Sequence, residues 1–374
     1  MQLSLFLLYC RAEGLAAECD WRRGKDRAVK SEDMNKRLPN RREFNGLCLA
    51  LGSSLSSVGT MIVVLSSASA RAAAAGAASN GAGGTVRFRD GTIVPALGQG
   101  SGSLVQGRHP EAVEEEALRT GISLGMTLID TAEVYSNGRS EELIGRVIAG
   151  QRDRVFLVSK VWPNHATGNG IARACEASLA RLGTDHLDLY LLHWPSPDTD
   201  LSSIVAAFES LRSAGKIRAW GVSNFKVSDM EDLFRVPHGD RCATNQVLYN
   251  VGSRDIEHDL LPWCELRGMP VMAYTPLGGN SVRDHTLARI GAAHGCSAAA
   301  VALAWATRSG NVIAIPESGS VAHVKENAVA LSLTLTPEDL QTVDTAHPAP
   351  SRYALGLKYW TRRVLRSLSR PTGE

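Results

Sequence analysis

The sequence predicts an α/β fold, a (β/α)8 TIM barrel that is preceded by a short β-hairpin. Three features predict it: eight short apolar runs, helical patterns between them, and an alternating segment with an Asp-Gly pair ahead of them. Near-continuous apolar strands that alternate with helices are typical of a parallel sheet covered on both faces. Eight such repeats fit a closed barrel, which typically needs about 250 residues.

The elements follow in a clear order. The segment VRFRDGTIV, residues 86–94, alternates around Asp90-Gly91, which is a strong signal for a tight hairpin turn. The eight apolar runs are PALGQG, TLIDTA, VFLVSK, LDLYLLH, RAWGVS, ATNQVL, PVMAYTP and VIAIPE. Helical patterns such as PEAVEEEALRTGISLG, RSEELIGRVIAG and SSIVAAFESLRSAG separate them. A doubly wound sheet is the alternative, but the first strand lacks the G-x-G-x-x-G of dinucleotide-binding sheets.

An export signal is predicted ahead of the barrel. The stretch 46–70 carries no charge, follows the basic segment MNKRLPNRR, and ends in the small-x-small pattern of Ala68-Ser69-Ala70. This order of charged, apolar and cleavable regions predicts a signal peptide over residues 34–70. Arg41-Arg42 followed by Phe44 resembles the twin-arginine type, which a receptor reads. We therefore expect the twin-arginine export machinery as a partner and a periplasmic mature protein.

The signal position also predicts the remaining boundaries. Met34 would begin the signal, so residues 1–33 are interpreted as an extension from a start codon placed too early. Residues 71–84 are a low-complexity linker, residues 85–346 the barrel, and residues 347–374 a basic tail with helical spacing of apolar residues. That tail either packs on the barrel or forms an amphipathic helix on an anionic membrane surface. An uncleaved anchor in the inner membrane and retention in the cytoplasm stay open as alternatives.

Composition excludes several classes of function. A net charge of +2 argues against a nucleic-acid-binding protein, which needs a clustered basic face. Seven cysteines occur without a CxxC pair, so neither a zinc site nor a thioredoxin-like motif is predicted, and we expect no metal. We expect the protein to be a monomer that acts on a small-molecule substrate. We expect it to contact the membrane only through the signal segment.

Polar residues follow the apolar runs where barrel strands would end. Asp130, Lys160 and His193 each end a different run, and Tyr135 lies on the loop after Asp130. Singly, each has a structural explanation, such as a helix cap, an ion pair or a buried histidine. Together they would meet at one mouth, because chemistry in such barrels gathers at the C-terminal ends of the strands. A lysine beside a tyrosine lowers its pKa from about 10, which suits proton donation to a carbonyl oxygen.

Seven motifs resemble the aldo-keto reductase family over about residues 86–346, and bacterial methylglyoxal and 2,5-diketogluconate reductases most of all. They are DTAEVYSNG, VSK, LLHWP, GVSNF, NQVLYN, AYTPLG and IPESGSVAHVKEN. The resemblance implies NAD(P)H-dependent reduction of aldehydes or ketones, 2-oxoaldehydes or keto-sugars among them, to alcohols. It implies a catalytic tetrad with Tyr135 as the general acid, and a substrate pocket. The tetrad is Asp130, Tyr135, Lys160 and His193, and the pocket residues are Tyr135, Trp162, His193 and Trp194.

The resemblance also implies a cofactor site. Three polar residues would hold the nicotinamide carboxamide, Tyr274 would stack on its ring, and the last strand would lead to the adenosine end. The whole set is Gly100, Ser101, Asp130, Ser223, Asn224, Gln246, Tyr274, Thr275, Pro276, Leu277, Gly278, Pro316, Glu317, Ser318, His323, Glu326 and Asn327.

Two departures from the family pattern bear on specificity. Glu317 and His323 stand where relatives often carry the Lys and Arg that meet the 2′-phosphate of NADPH. NADP(H) is therefore implied, with NAD(H) as an alternative, because an acidic residue can accept from a ribose 2′-hydroxyl. Gly102 replaces an aromatic residue and would widen the substrate pocket. A second class of function, a nucleotide-binding redox sensor with little turnover, is disfavoured by the intact tetrad.

Overall fold

The predicted hairpin is present at the start of the described chain. The computed structural model describes residues 84–196 and 200–351, so the predictions on the signal, the linker up to residue 83 and the tail from residue 352 lie outside the described residues. Strand β1 (Thr85–Arg87) pairs antiparallel with β2 (Ile93–Pro95). Gly91 has φ of 92° in the turn between them, a left-handed conformation that glycine adopts at little cost.

Eight parallel strands then form a barrel, which confirms the predicted fold class. Neighbours in the sheet follow chain order. Two bridges, Leu97 to Ala314 and Gly100 to Glu317, join the first barrel strand to the last one and close the sheet. The strands are β3 (Gln99–Gly100), β4 (Leu128–Asp130), β5 (Phe156–Val161), β6 (Leu187–Leu192), β7 (Ile217–Ser223), β8 (Asn245–Leu248), β9 (Val271–Tyr274) and β10 (Val312–Ile315).

Helices separate the strands and cover the barrel. They are α1 (Glu111–Ser123), α2 (Arg139–Ile148), α3 (Gly168–Leu182), α4 (Leu201–Ser213), α5 (Val227–Arg235), α6 (Leu260–Glu265), α7 (His285–Ala293), α8 (Ala298–Thr307), α9 (Val321–Ala328) and α10 (Pro337–Ala346). Side chains cap the N-termini of several helices. At the start of α7, for example, the Asp284 carboxylate accepts a hydrogen bond from the Leu287 N–H at 2.9 Å. In the described part of the chain, no single helix is long and apolar enough to cross a membrane; the pair α7 and α8, bent by 92°, meets that test together by length and composition only.

The apolar side chains of the hairpin fill one end of the barrel. Val86, Phe88 and Val94 are buried against inward-facing strand residues such as Leu128 and Leu189. The Phe88 ring stacks on Phe156, the first residue of β5, with ring centres 5.7 Å apart. The hairpin therefore closes the barrel at the N-terminal ends of its strands. Chemistry is left to the opposite end, where the strands finish in polar residues.

Candidate active site

Lys160 is the centre of the predicted tetrad. Its side chain is completely buried near the end of β5. The ammonium Nζ donates to Asp130 Oδ2 at 2.7 Å, to the Thr131 carbonyl at 2.8 Å and to the Tyr135 hydroxyl at 3.2 Å. An ammonium group has three N–H donors, so each donor has an acceptor. Strand register brings these groups together, because Asp130 ends the neighbouring strand β4.

The charge on Lys160 is stabilised by its partners. Burial, the largest influence, lowers the pKa of Lys160 because it penalises the charged form. The charge of Asp130, the electrostatic interaction with the Tyr135 hydroxyl, and the hydrogen bonds to both groups act in the other direction and raise the pKa above its ordinary 10.5. Lys160 is therefore a buried cation at neutral pH, and Asp130 is the anion that keeps it so.

Tyr135 remains protonated at neutral pH. Burial raises the pKa of its hydroxyl above 10.0, and this effect exceeds the lowering by Lys160. Lys160 acts on the pKa of Tyr135 in the predicted direction, but removal of the hydroxyl from water outweighs its effect. The ring also lies under the ammonium, with Nζ 4.8 Å from the ring centre. The neutral phenol can donate its proton, and the Lys160 ammonium can then stabilise the phenolate that remains.

His193 follows β6 and faces Tyr135. Its ring stands edge-on to the Tyr135 ring at 5.6 Å and to the Trp162 ring at 5.1 Å. Burial, and then the charge of Lys160, lower the pKa of His193 from 6.5 to about 3. The imidazole is therefore neutral at physiological pH. Its buried Nδ1 has no hydrogen-bond partner among the described residues.

A cavity of about 480 Å³ opens above these groups and gathers most of the predicted site residues. Lys160 lies beneath its wall. The residues that line it are Gly100, Ser101, Gly102, Ser103, Asp130, Tyr135, His193, Trp194, Ser223, Asn224, Gln246, Tyr274, Thr275, Pro276, Leu277, Ile315, Pro316 and Glu317. Sequence reasoning missed Ser103 and Ile315, which directly follow or precede assigned positions and have no chemical signal of their own.

Some predicted residues lie outside this lining. Trp162 contacts the cavity wall through His193. His323 and Glu326 are exposed on α9, whereas Asn327 on the same helix is buried. The Ser318 hydroxyl accepts the Ser320 N–H at 3.1 Å, and thus shapes the turn before α9. Gly278 and Lys160 are the other predicted site residues that do not line the cavity.

The donors of the wall suit a nicotinamide group. Gln246 Nε2 donates to Asp130 Oδ1 at 2.7 Å, and the Tyr274 hydroxyl donates to Asn224 Oδ1 at 2.9 Å. Asn224 and Thr275 have positive φ angles of 64° and 51°. Non-glycine residues in this conformation are strained and cluster at functional sites. Side-chain amides and an aromatic ring on one cavity wall therefore fit a planar carboxamide-bearing ring.

Glu317 is paired with the loop that follows β3. Its carboxylate accepts the Ser103 N–H at 2.5 Å and contacts Arg108 Nη2 at 2.5 Å. The Glu317 side chain is therefore partly buried and paired within the protein. The widening expected from Gly102 is also partly offset, since Glu317 Oε2 would lie 3.5 Å from a Cβ atom at position 102.

Comparison with known proteins identifies the family. The sequence model of the aldo/keto reductase family matches residues 96–347. The chain belongs to this family. Methylglyoxal reductase YeaE of Escherichia coli is 48% identical over 271 residues, which cover 71% of this chain and 95% of that protein. Glyoxal reductase of Bacillus subtilis is 34% identical over 70% of this chain and 91% of its own length.

Solved structures agree with this assignment. An aldo/keto reductase from Klebsiella pneumoniae, in complex with NADP and acetate, is 47% identical and gives a TM-score of 0.69 over 72% of this chain and 97% of its own. The thermostable aldo-keto reductase Tm1743, in complex with the inhibitor epalrestat, is 37% identical with a TM-score of 0.63 over 70% and 98%. The predicted function is confirmed at this level: the chain is an NAD(P)H-dependent oxidoreductase that reduces carbonyl compounds. Nothing in these comparisons supports the alternative of a redox sensor.

No metal site accompanies these groups in residues 84–196 and 200–351. No cluster of three or more His, Cys, Asp or Glu side chains there is placed to hold a metal ion. The four cysteines of this part of the chain are free thiols. Burial raises the pKa of three of them, Cys175, Cys242 and Cys264, to about 12, so they are inert thiols at neutral pH.

Proposed function

We propose that this chain reduces small 2-oxoaldehydes such as methylglyoxal, or keto-sugars, to the alcohol, with Tyr135 as the general acid. The observation that carries the proposal is the contact of 3.2 Å between the Tyr135 hydroxyl and the buried ammonium of Lys160. The names of two relatives, a methylglyoxal reductase and a glyoxal reductase, support the substrate class.

The chain's own residues manage the proton. Tyr135 donates its hydroxyl proton to the carbonyl oxygen as negative charge develops there. Lys160, kept charged by Asp130 at 2.7 Å, stabilises the phenolate that remains. His193 is neutral and orients the carbonyl oxygen by a hydrogen bond. When bound, the nicotinamide cofactor supplies the hydride that the carbonyl carbon receives. Positioned acid catalysis of this kind contributes about 10²- to 10⁴-fold to a rate.

NADP(H) is the proposed cofactor, and NAD(H) is the alternative. Two structural neighbours at 47% identity contain NADP or NADPH, which supports the first. Glu317 supports the second, but its charge is matched by Arg108, which reduces its repulsion of a 2′-phosphate. Comparison of kcat/KM with the two cofactors tests the choice. A preference for NADPH above about a hundredfold, or about 2.7 kcal/mol, excludes NAD(H) as the working cofactor.

The reaction itself is tested with the purified full chain. We expect methylglyoxal to cause NADPH consumption, measured by absorbance, at a rate well above the blank without substrate. Keto-sugars and larger aldehydes complete the substrate series. Absence of NADPH consumption with every carbonyl compound would contradict the proposal. Light scattering of the same sample tests the proposed monomer.

We also propose export through the twin-arginine machinery and cleavage of the signal over residues 34–70. Arg41-Arg42, Phe44 and the uncharged stretch that follows support this. Cell fractionation should place the protein in the periplasm, and mass spectrometry should find a mature N-terminus close to residue 71. Replacing Arg41 and Arg42 with Lys should abolish export. Unchanged export would mean that the pair is an ordinary charged region, and an uncleaved protein in the membrane fraction would indicate an anchor.

A further inference from the structure

The backbone turns sharply directly after Tyr135. Ser136, Asn137 and Gly138 have φ angles of 50°, 54° and 86°, so three consecutive residues are in the left-handed conformation. Asparagine and glycine adopt this conformation at a small cost, whereas serine does so more rarely. Strain is therefore concentrated at Ser136, the residue that adjoins the general acid. Such strain persists only where surrounding contacts hold the backbone in place.

A hydrogen bond between two loops holds Ser136. Its hydroxyl donates to the carbonyl of Leu104, a buried residue on the loop that follows β3, at 2.7 Å. That loop is fixed in turn by α1, because the N–H of Val105 donates to the buried carboxylate of Glu114 at 2.8 Å. Val105 has φ of 61°, which is an outlier for a β-branched residue. The carbonyl that receives the Ser136 hydroxyl is therefore held from its other side.

Two more serine hydroxyls join the same pair of loops. The Ser101 hydroxyl donates to the Asp130 carbonyl at 2.9 Å, and the Ser140 hydroxyl donates to the Ser101 carbonyl at 3.1 Å. Both serines are completely buried. Tyr135 lies between Asp130 and Ser140 in the chain. The segment that carries the general acid is therefore tied to the loop after β3 at three points, and the Ser136 bond is the one next to Tyr135.

We infer that Ser136 is a positioning residue for Tyr135. Its hydroxyl holds the strained backbone that keeps the Tyr135 hydroxyl 3.2 Å from the Lys160 ammonium. The inference rests on the proposed function, in which Tyr135 is the general acid. Ser136 is not part of the described lining of the cavity, so its loss should change the placement of the proton donor rather than the binding of the substrate. Small misplacements of reacting groups lower rates strongly.

The test compares two substitutions at this position. Ser136→Ala removes the hydroxyl and leaves a residue for which the left-handed conformation is costly. With methylglyoxal and saturating NADPH, kcat should fall by about tenfold, while KM should change by less than about twofold. Ser136→Gly removes the same hydroxyl, but glycine adopts the conformation at little cost. The glycine variant should therefore retain more of kcat than the alanine variant.

Substitution of Glu114 tests the other side of the same contact. Glu114→Ala removes the acceptor of the Val105 N–H and should lower kcat, whereas Glu114→Gln keeps an acceptor oxygen and should lower it less. The fall of kcat in the double variant with Ser136→Ala should be smaller than the product of the two single falls, because both changes act on the contact between Leu104 and Ser136. Independent effects that multiply would contradict this link.

Ser123→Ala is the matched control. The Ser123 hydroxyl also donates to a backbone carbonyl, that of Thr120, at 2.7 Å, but at the exposed end of α1, so kcat should not change. Binding of NADPH, followed by protein fluorescence, shows for each variant that the fold and the cofactor site are intact.

Two results would overturn the inference while NADPH binding is retained. One is a kcat of Ser136→Ala within about twofold of that of the unmodified chain. The other is an equal fall in the alanine and glycine variants, which would mean that Ser136 does not act through its backbone. An unmodified chain that reduces no carbonyl compound overturns the proposed function instead, so the two failures are distinguishable.

Discussion

The two ends of the barrel differ in the residues that fill them. At the end closed by the hairpin, Val86, Phe88 and Val94 pack into an apolar interior. At the open end, a buried lysine, a carboxylate and a neutral imidazole surround Tyr135. Backbone strain follows the same division: six of the seven described non-glycine residues with positive φ lie in loops that follow barrel strands, and His238 is the exception.

Stability and chemistry are therefore separated along the barrel axis. The closed end gains from apolar burial, which involves no titrating group. The open end holds charged groups and strained loops, which lower stability and are tolerated for function. Substitutions at the open end should therefore change kcat, and substitutions at the closed end should change the free energy of unfolding.

The largest effect is expected at Tyr135. Tyr135→Phe removes the proton donor without changing the volume of the side chain, so kcat should fall by about 10³-fold or more, while cofactor binding and thermal stability stay close to those of the unmodified chain. Steady-state kinetics measure kcat, fluorescence titration measures cofactor binding, and thermal unfolding measures stability.

Tyr190→Phe provides the control. Tyr190 is completely buried, and its hydroxyl has no hydrogen-bond partner among the described residues. Loss of that hydroxyl should leave kcat unchanged and leave stability equal or higher. An equal loss of activity in both variants would show that Tyr135 acts through packing rather than through its proton.

Lys160→Met should lower both the free energy of unfolding and kcat. It leaves the buried Asp130 carboxylate without its cation, which costs about 3–5 kcal/mol in free energy of unfolding, and it removes the partner of the phenolate. Denaturant unfolding and kcat report the two losses. Lys216→Met is the comparison, because its ion pair with Glu176 is exposed and should contribute little to stability. Equal destabilisation by both variants would contradict the importance of burial.

Phe88→Ala should affect stability alone. The ring is 5% exposed and stacks on Phe156, so its truncation should cost about 3–5 kcal/mol. The activity of the folded fraction should stay within about twofold, since the hairpin lies at the other end of the barrel. Ile93→Ala, in the same hairpin but 53% exposed, should change the free energy of unfolding by less than about 0.5 kcal/mol. A large fall in kcat/KM for Phe88→Ala would show that the two ends are coupled.

The smallest effect is expected from pH. Tyr135 has a pKa above 10.0 and His193 one of about 3, so kcat/KM should be nearly constant between about pH 5 and 9. The rate should fall at alkaline pH as Tyr135 loses its proton. A midpoint near 6.5, the ordinary pKa of histidine, would show that His193 titrates in the working range.

Stability should show the same histidine in the acid range. Because the pKa of His193 is lower in the folded chain than in the unfolded chain, the unfolded chain binds the proton first as the pH falls. The contribution of His193 to stability is therefore complete above pH 6.5 and is lost between 6.5 and about 3. Thermal unfolding of His193→Gln should depend less on pH in this interval than that of the unmodified chain.

Much of the fold and the site could be predicted from local sequence. The period of the apolar runs indicates strands and helices, and the Asp-Gly pair indicates the turn at Gly91. The position of Asp130, Lys160 and His193 at the ends of runs then places them at one mouth, because parallel strands share a direction. Lys160 contacts Asp130 and Tyr135, and the His193 ring stands edge-on to Tyr135, so these side chains do lie together.

Two features could not be predicted in this way. The pairing of Glu317 with Arg108 joins residues that are far apart in the sequence, and it depends on which way two flexible side chains turn. The protonation of Tyr135 depends on a competition between burial and the charge of Lys160, and sequence reveals the charge but not the degree of burial. Both are properties of the assembled site rather than of any segment.

The junction between β3 and β10 has a consequence for the order of folding. Three backbone hydrogen bonds join it: Gly98 N–H to the Ala314 carbonyl, Ala314 N–H to the Ala96 carbonyl, and Gly100 N–H to the Pro316 carbonyl. Contacts between such distant parts of a chain form late, because loop closure must come first. Glu317 reaches the cavity only through this junction. A nascent chain therefore has no complete substrate site until its last strand is in place, and catalytic activity reports that the barrel has closed.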